Sequence, residues 1–538
     1  MAATSYWTWL GTDPAAYSST TSWAAKWAAD SNSDRAGTAG GVIKYYFDPN
    51  QATPADDWTS DERKAIGAAL ALWSMAANIS FQITNDPGDA QIVFQRSNSV
   101  FGGDASASLV RETATGGQGD IGGPSLRKLQ KATISLETRW AGIGPITSID
   151  SNTNTLSDFG GSVWRVLMHE IGHALGLGHS GAYNEVIGDQ FGIYDVMPWT
   201  TMSYTVPENW ETDYYYQYSV YSRWGAVSRP PGTESMAGFF FFGRVPTTWM
   251  PVDLLAIQRL YGISPNAPAG NVIFGFNTNL TGDIAPFFDF TKNTKPIMTL
   301  LANGTNNTLD ARFFADAATV NLNPGSFSSL AGLTNNIAIA YGTAIDRLFT
   351  GAGNDIVTGN DNGNYLDSGN GDDLIFGGSG NDTITAGAGI NTIFGGQGGD
   401  TVVYPLASNA YSISQDANGS VRVTGGGPAA VNDTIIGVEF LSFSGDTIAI
   451  NSGAPQILGG GSDDMLASRV GDDFIDGGGG FNTLSYAGAT KGVSVSLEQV
   501  APQNTQGAGT DTIRNVQALA GSAFDDWLAG SPTAASRL

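Results

Sequence analysis

A nine-residue repeat limits the folds open to this chain more than any other feature of its sequence. From Tyr341 onward, Asp or Asn recurs at every ninth position, and an apolar residue follows each of them two positions later. Such a repeat forms about six residues of turn and about three of strand, so two repeats close one coil. Residues 18 positions apart then stack at the spacing of paired strands, about 4.8 Å. This region is therefore predicted to be an all-β parallel coil.

The stacked acidic residues of this coil point to a cation between its turns. Carboxylates placed one above another repel, and calcium relieves the repulsion because it takes about six to eight oxygen ligands. Glycines free the backbone to aim carbonyl oxygens inward. A flexible linker rich in Gly, Asn and Asp would not keep seven apolar residues in register. The predicted calcium ligands are Asp346, Asp355, Asn364, Gly371, Asp373, Gly380, Asp382, Gly389 and Asp400, with Asp464 and Asp473 in a second array.

A second motif, H-E-x-x-H-x-x-G-x-x-H, runs from His169 to His179 and contains all three histidines of the chain. His169 and His173 are four positions apart, so a helix places them on one face. Gly176 permits a sharp turn that ends the helix and returns His179 as a third ligand. Three imidazoles leave one position open on a zinc ion, which is typical of a catalytic site. An amphipathic helix with incidental histidines would not produce the full pattern.

Glu170 follows the first of these histidines and is rotated about 100° from it around the helix. Its carboxylate can therefore reach water at the metal without taking a ligand position. That placement favours a general base that takes a proton from water and returns it to a leaving group.

Composition excludes several classes of protein. The formal net charge is −25, so binding to nucleic acid through phosphate neutralisation is not expected. The chain has no cysteine, which excludes disulfides and thiolate metal sites. No apolar stretch reaches the roughly 20 residues of a transmembrane helix, and the N-terminus lacks an ordinary secretory signal. These features permit a cytoplasmic protein, or one exported by a route that reads another part of the chain.

The remaining patterns divide the chain into four parts. Residues 1–40 have no strong period and read as a leader or pro-segment. Residues 41–262 read as an α+β domain around the zinc helix, with an aromatic insertion at 205–250. Short strands and the repeat occupy 263–403, where no helix is expected. Residues 404–538 interrupt the repeat with strands and then resume it, forming a second β extension.

Local patterns within 41–262 give individual elements. Thr59 and Glu62 form a capping box ahead of a helical pattern that runs through Trp73. A second helix is predicted from Pro251 to a glycine cap at Gly262. The zinc helix is expected to begin near Gly161. Strands are predicted at 41–47, 81–83, 91–94 and 132–136 in this domain, and at 420–423 and 447–450 beyond it.

Together these motifs resemble a serralysin-type metzincin over roughly residues 40 to 403. The extended zinc motif, Met202 within Thr201-Met202-Ser203-Tyr204, the helix that starts near Asp253 and the RTX repeats carry the resemblance. It implies an α+β metzincin catalytic domain followed by an all-β, calcium-binding parallel β-roll, here with a second RTX extension. It also implies that Met202 forms an apolar floor under the zinc histidines. Tyr204 would be a fifth zinc ligand that moves away on substrate binding and then stabilises the tetrahedral intermediate.

The resemblance further implies a zinc endopeptidase that hydrolyses peptide bonds in proteins. Such proteins are secreted by a type I exporter, and we expect an extracellular or cell-surface monomer. A different interpretation is a calcium-dependent surface or adhesion module with a vestigial zinc site. A third is a zymogen whose zinc is blocked by the segment before Gly41 or by the aromatic insertion.

The sequence departs from the family at three places. Ser180 replaces the usual proline after the third histidine, which we expect to have little effect. The aromatic insertion is longer than in compact members, and it is a substrate-binding wall, a lid, a membrane- or partner-facing patch, or a packed loop. The family's export signal is not recognisable in residues 534–538, and the final repeat at 521–528 has no successor. The native chain is therefore expected to extend further.

Overall fold

A computed structural model describes residues 25–28, 36–49, 58–97, 105–111, 127–137, 162–179, 198–203, 246–415, 420–427, 430–450, 456–458, 465–468, 470–471, 473–477, 481–499 and 502–530. Ser180, Tyr204 and Asp464 lie outside these residues, as do the chain before residue 25, the aromatic insertion up to residue 245 and residues 531–538. Among the described residues, no helix is both long and apolar enough to cross a bilayer.

The chain forms two compact units. The first contains the described residues up to Ala311 together with Leu322–Ile345, and the second contains Arg312–Asn321 and the described residues from Asp346 onward. Residue 262, the predicted boundary, lies within the first unit.

A mixed sheet and three helices frame the first unit. The sheet runs in the order β1-β6-β4-β2-β3, and β5 also pairs antiparallel with β6. Its strands are β1 Ala25–Lys26, β2 Gly41–Phe47, β3 Ile79–Ile83, β4 Ile92–Ser97, β5 Ala105–Arg111 and β6 Arg127–Glu137. The helices are α1 Ser60–Ala76, α2 Ser162–Ala174 and α3 Pro251–Tyr261.

The predicted helix ends are confirmed. Thr59 and Glu62 form the capping box of α1, and the helix buries Ile66, Leu70 and Trp73. Gly262 ends α3 at φ 80°, a conformation that glycine adopts without the steric cost of a Cβ atom. The predicted strands of this domain are confirmed as well, although β3, β4 and β6 are longer than expected.

The rest of the first unit consists mainly of short strands. Its elements are β7 Ile273–Gly275, β8 Met298–Leu300, β9 Thr308–Asp310, β11 Phe327–Ser328, β12 Ile337–Ile339, a 3-10 turn at Gly282–Ile284 and the one-turn helix α4 Ala285–Phe288. The expectation of no helix beyond residue 262 is therefore wrong at α4. Pro286 lies at its start, where a missing N–H costs nothing, and Phe287 and Phe288 are buried.

The second unit is the predicted parallel roll. Ile356 pairs with Leu374 and Leu374 with Thr392, so paired residues are 18 positions apart. The seven apolar residues from Leu348 to Val402 are 0–1% exposed and fill the interior. The strands to residue 403 are β10 Thr319–Asn321, β13 Arg347–Phe349, β14 Ile356–Thr358, β15 Tyr365–Asp367, β16 Leu374–Ser379, β17 Thr383–Thr385, β18 Thr392–Gln397 and β19 Thr401–Val403.

The segment that interrupts the repeat extends both faces of the roll. Within it β22 pairs parallel with β18, and β23 pairs parallel with β19. Its strands are β20 Tyr411–Gln415, β21 Val421–Gly425, β22 Val431–Ile436, β23 Phe440–Phe443 and β24 Asp446–Ala449, with a 3-10 turn at Ser408–Ala410. The second array then contributes β25 Gln456–Leu458, β26 Met465–Ala467, β27 Phe474–Asp476, β28 Thr483–Ser485, β29 Ser494–Ser496, β30 Gln503–Asn504, β31 Thr510–Arg514, β32 Ala518–Ala520 and β33 Trp527–Ala529.

Candidate metal centre

The three histidines converge on one point. His179 Nε2 lies 3.2 Å from His169 Nε2 and 3.1 Å from His173 Nε2. Zinc binds imidazole nitrogen at about 2.0–2.1 Å, so three tetrahedral ligand atoms are about 3.3 Å apart. Among the described residues, this is the one group of three or more His, Asp or Glu side chains that could hold a metal ion. The arrangement therefore fits the donor set of a catalytic zinc.

Backbone carbonyls select the tautomer of two of these histidines. The Nδ1–H of His169 donates to the carbonyl of Thr201 at 2.9 Å, and that of His173 donates to the carbonyl of Leu177 at 2.8 Å. The Nε2 lone pairs therefore point into the site. Burial lowers the pKa of His173 to about 3, with a contribution from the neighbouring His179. Burial likewise lowers the pKa of His169 well below its usual value. Both rings are therefore neutral near pH 7, and the Nε2 atom of each can bind a metal.

Glu170 lies beside the histidines on α2 and is 8% exposed. Burial raises the pKa of its carboxyl group to about 8. A backbone hydrogen bond from Ala107 on β5 and the charge of Arg165 both oppose that rise. A cation held by the histidines would bring the pKa of Glu170 down from this raised value towards neutrality. The residue is thus suited to exchange a proton with water near pH 7.

The turn around Met202 packs directly against α2. Met202 is completely buried, and a Cβ atom at Gly172 would lie 2.7 Å from its sulfur. A side chain at this position of α2 would therefore force the Met202 side chain to move. Gly172 occupies an unspecified position of the zinc motif, so the sequence pattern alone did not single it out.

The C-terminal end of α2 is held from two sides. Trp27 donates through its indole N–H to the carbonyl of Ala174 at 2.9 Å, and the Tyr261 hydroxyl donates to the carbonyl of Leu175 at 2.7 Å. The backbone N–H of Trp27 in turn donates to the Tyr261 hydroxyl. These bonds satisfy carbonyls that a helix end leaves open. Gly176 follows with φ 98°, and the chain turns towards His179.

The Asp and Asn side chains that recur at every ninth position of the roll form two ladders. On one face, the N–H of Asp355 donates to Asp373 Oδ1, and the N–H of Asp373 donates to Asn391 Oδ1. On the other face, the N–H groups of Asn364 and Asp382 donate to the Oδ1 atoms of Asp382 and Asp400. Each of these bonds spans 18 positions.

The second oxygen of each ladder carboxylate is buried without a hydrogen-bond partner among the described residues. This applies to Oδ2 of Asp355, Asp373, Asp382 and Asp400. Burial raises the pKa of Asp373 to about 6 and that of Asp382 to about 7, with smaller contributions from neighbouring carboxylates. A buried carboxylate oxygen without a donor is costly unless a cation supplies the missing interaction. These oxygens therefore fit calcium.

One buried acid of the roll is satisfied by neutral groups. Asp433 is completely buried and accepts hydrogen bonds from the Tyr404 hydroxyl and from the Asn391 side-chain amide, both at 2.8 Å. Burial raises its pKa to about 6, although these bonds oppose the rise. The pKa of an aspartate in an unfolded chain is about 3.9, so the protonated form of Asp433 stabilises the folded protein relative to the ionised form. The resulting contribution to the free energy of unfolding is present below about pH 4 and is lost as the pH rises through about 6.

Asp433→Asn is expected to flatten this pH dependence. Asparagine is neutral and keeps an acceptor for Asn391, so it should raise the free energy of unfolding at pH 8 by about 2–3 kcal/mol and change it little at pH 4. Unfolding in saturating calcium at both pH values tests this. The matched control is Asp525→Asn, because Asp525 is exposed in the same unit. A pH profile of Asp433→Asn parallel to that of the unsubstituted protein would contradict the assignment.

Two family models match the chain. A family model described as "Matrixin" matches residues 39–195, and a model described as "Peptidase M10 serralysin C terminal" matches residues 265–517. Together the two family models support a serralysin-type metzincin. The predicted class is thereby confirmed: a metzincin α+β domain precedes the β-roll.

Curated relatives match part of this chain. Metallopeptidase AprA from Pseudomonas marginalis is 30% identical over 307 residues, 56% of this chain and 54% of the relative. Serralysin from Photorhabdus laumondii is 31% identical over 306 residues, 57% and 54% of the two chains, and Serralysin C from Dickeya chrysanthemi is 37% identical over 190 residues, 35% and 34%. The chain thus spans about half the length of AprA and of the Photorhabdus serralysin. Among solved structures, the extracellular lipase LipA from Serratia marcescens matches with 17% identity over 45% of this chain and 34% of that chain, at a TM-score of 0.14.

Proposed function

We propose that this chain is a zinc-dependent endopeptidase that hydrolyses peptide bonds in proteins. The observation that carries the proposal is that His179 Nε2 lies 3.2 Å from His169 Nε2 and 3.1 Å from His173 Nε2, beside a buried carboxyl group. His169, His173 and His179 would hold zinc. When bound, zinc acts as a Lewis acid that polarises the scissile carbonyl and makes water more acidic.

Glu170 supplies the proton transfer in this proposal. Its carboxylate takes a proton from the attacking water and returns it to the leaving amine as the peptide bond breaks. Its burial and raised pKa support this role, because a base near neutrality serves both transfers. The role of Tyr204 in stabilising the developing oxyanion rests on the family resemblance alone.

An extended peptide is the substrate form that the site favours. β5 carries Ala107, whose backbone contacts Glu170. One edge of β5 pairs with β6, and its other edge has no strand partner within the described ranges. An extended chain can add to such an edge through main-chain hydrogen bonds. This mode would recognise the backbone of many protein substrates.

Calcium binding and export complete the proposal. We infer that calcium is held in the roll by the ladder carboxylates, and that Asp346, Asp473 and the carbonyls of Gly371, Gly380 and Gly389 belong to the same set. Four buried carboxylate oxygens without donors support this inference. We further infer type I export to the extracellular medium, with the monomer as the acting form, and this rests on the resemblance.

Proteolysis of an unfolded protein such as reduced casein tests the function. We expect the full chain to cleave it in calcium buffer, to lose cleavage with a chelator that prefers zinc to calcium, and to recover on zinc addition. Mass spectrometry of the N-terminus during the reaction tests the zymogen alternative. A zinc-loaded chain of intact fold that cleaves nothing would refute the proposal and favour the surface module.

A further inference from the structure

A completely buried carboxylate anchors the turn beneath the metal centre. Asp253 lies in the first turn of α3 and is 0% exposed. Its Oδ1 accepts from the Thr200 hydroxyl at 2.5 Å. Its Oδ2 accepts from the N–H and the hydroxyl of Thr201, at 2.8 and 2.9 Å, and from the N–H of Met250 at 2.9 Å. Three of these four bonds go to the two residues before Met202.

The same turn meets the zinc ligand. The carbonyl of Thr201 accepts the Nδ1–H of His169 at 2.9 Å, so Thr201 is bound to Asp253 through its N–H and to His169 through its carbonyl. The Thr200 hydroxyl also accepts from the N–H of Met202 at 3.0 Å. Asp253 therefore fixes Thr201, whose carbonyl accepts from the His169 ring. Through Thr200 it also fixes Met202, which packs under α2.

We propose that Asp253 is a positioning residue that orients His169 for metal binding through Thr201. The proposal rests on the zinc site of the proposed function. A ligand ring whose second nitrogen has a fixed acceptor loses less freedom on binding metal. If the carboxylate were absent, Thr200 and Thr201 would lose their common acceptor, and the carbonyl of Thr201 would no longer be held against the ring.

Another carboxylate of the same unit provides a matched control. Glu62 is 1% exposed, lies in the first turn of α1 and accepts from the N–H and hydroxyl of Thr59, as Asp253 accepts from Thr201. It also pairs with Arg96. Neither Thr59 nor Arg96 bonds to a zinc histidine among the described residues. Removing either carboxylate is expected to destabilise the unit, but only one removal should alter the metal site.

The test measures zinc affinity of the full chain by competition with a chromophoric chelator, and the visible absorption of the cobalt-substituted protein. Asp253→Ala is expected to raise the zinc Kd by about 10- to 100-fold and to shift the cobalt bands. Asp253→Asn should restore most of the affinity, because its amide oxygen can replace Oδ2 and its N–H can donate to Thr200. Glu62→Ala is expected to lower the melting temperature and leave the zinc Kd within about threefold.

The outcomes separate positioning from simple stabilisation. A wild-type zinc Kd and cobalt spectrum in Asp253→Ala would overturn the proposal, and so would an equal loss of affinity in Glu62→Ala. If Asp253→Ala does not fold, Thr201→Val decides: we expect its zinc Kd to rise roughly three- to tenfold for one lost hydrogen bond, and an unchanged Kd overturns the inference. A wild-type chain that does not bind zinc at all would refute the proposed function instead.

Discussion

Glu170→Ala is expected to lower kcat/KM for peptide hydrolysis by about 10²- to 10⁴-fold while leaving one zinc ion bound per chain. The substitution removes the group that moves the proton. It leaves all three histidines in place, together with the carbonyls that accept from His169 and His173. Burial raises the pKa of Glu170, so ionisation of this carboxyl group does not stabilise the folded protein. The fold should therefore tolerate the loss. Peptide-library cleavage, zinc content and a melting curve on the same preparation measure all three effects.

Glu170→Gln is the control that keeps the shape of the side chain. It retains an acceptor for the backbone hydrogen bond from Ala107 but cannot take a proton. We expect it to be as inactive as Glu170→Ala and to melt at or above the temperature of the unsubstituted chain. Near-normal cleavage by either variant would remove Glu170 from the mechanism. Loss of zinc from both variants would show instead that the substitution disturbs the ligands.

The sequence predicts the parts of the metal centre that depend on local spacing. Four positions separate His169 from His173, and one helix aligns them whatever surrounds it. The glycine turn at Gly176 and the capping box of α1 are likewise properties of a few consecutive residues. The repeat likewise predicts the 18-residue pairing of the roll, because each apolar residue is buried by the next coil.

The contacts that support the centre come from distant positions and have no local signature. Trp27 is 147 positions from Ala174, and Thr200 is 53 positions from Asp253. β5 lacks strict apolar alternation, and its pairing with β6 overrides that weak pattern. The close approach of Met202 to Gly172 likewise depends on how two separate segments fold together.

The interruption of the repeat shows the same limit within the roll. The sequence predicts strands between 404 and 450 but not their role. The structure shows that Asn391 binds Asp433, 42 positions later, and that the N–H of Asp400 donates to Glu439, 39 positions later. Both ladders therefore continue past the interruption with new spacing. A search for a nine-residue period cannot find partners at such distances.

Calcium removal is expected to unfold most of the chain from residue 341 onward. The ladder carboxylates place oxygens without donors inside the roll, and neighbouring carboxylates contribute to the raised pKa values of Asp373 and Asp382. Without a cation, these charges oppose stacking of the coils. An ion that binds only the folded roll at 1,000 times its Kd contributes about 4 kcal/mol per site. Circular dichroism of the full chain, with and without a calcium chelator, should show loss and recovery of strand signal.

One ladder contains its own matched pair of test positions. Asn364 is already neutral, whereas Asp382, the next rung, is an acid with an unpartnered oxygen. We expect Asp382→Asn to retain more strand signal in chelator and to melt at a lower temperature in calcium, because it removes both a repulsive charge and a ligand. Asn364→Asp should retain no more strand signal in chelator than the unsubstituted chain and should melt at a higher temperature in calcium. Equal melting temperatures of the two variants in calcium, or a strand signal that does not change with the chelator, would mean that the ladders fold without an ion between the coils.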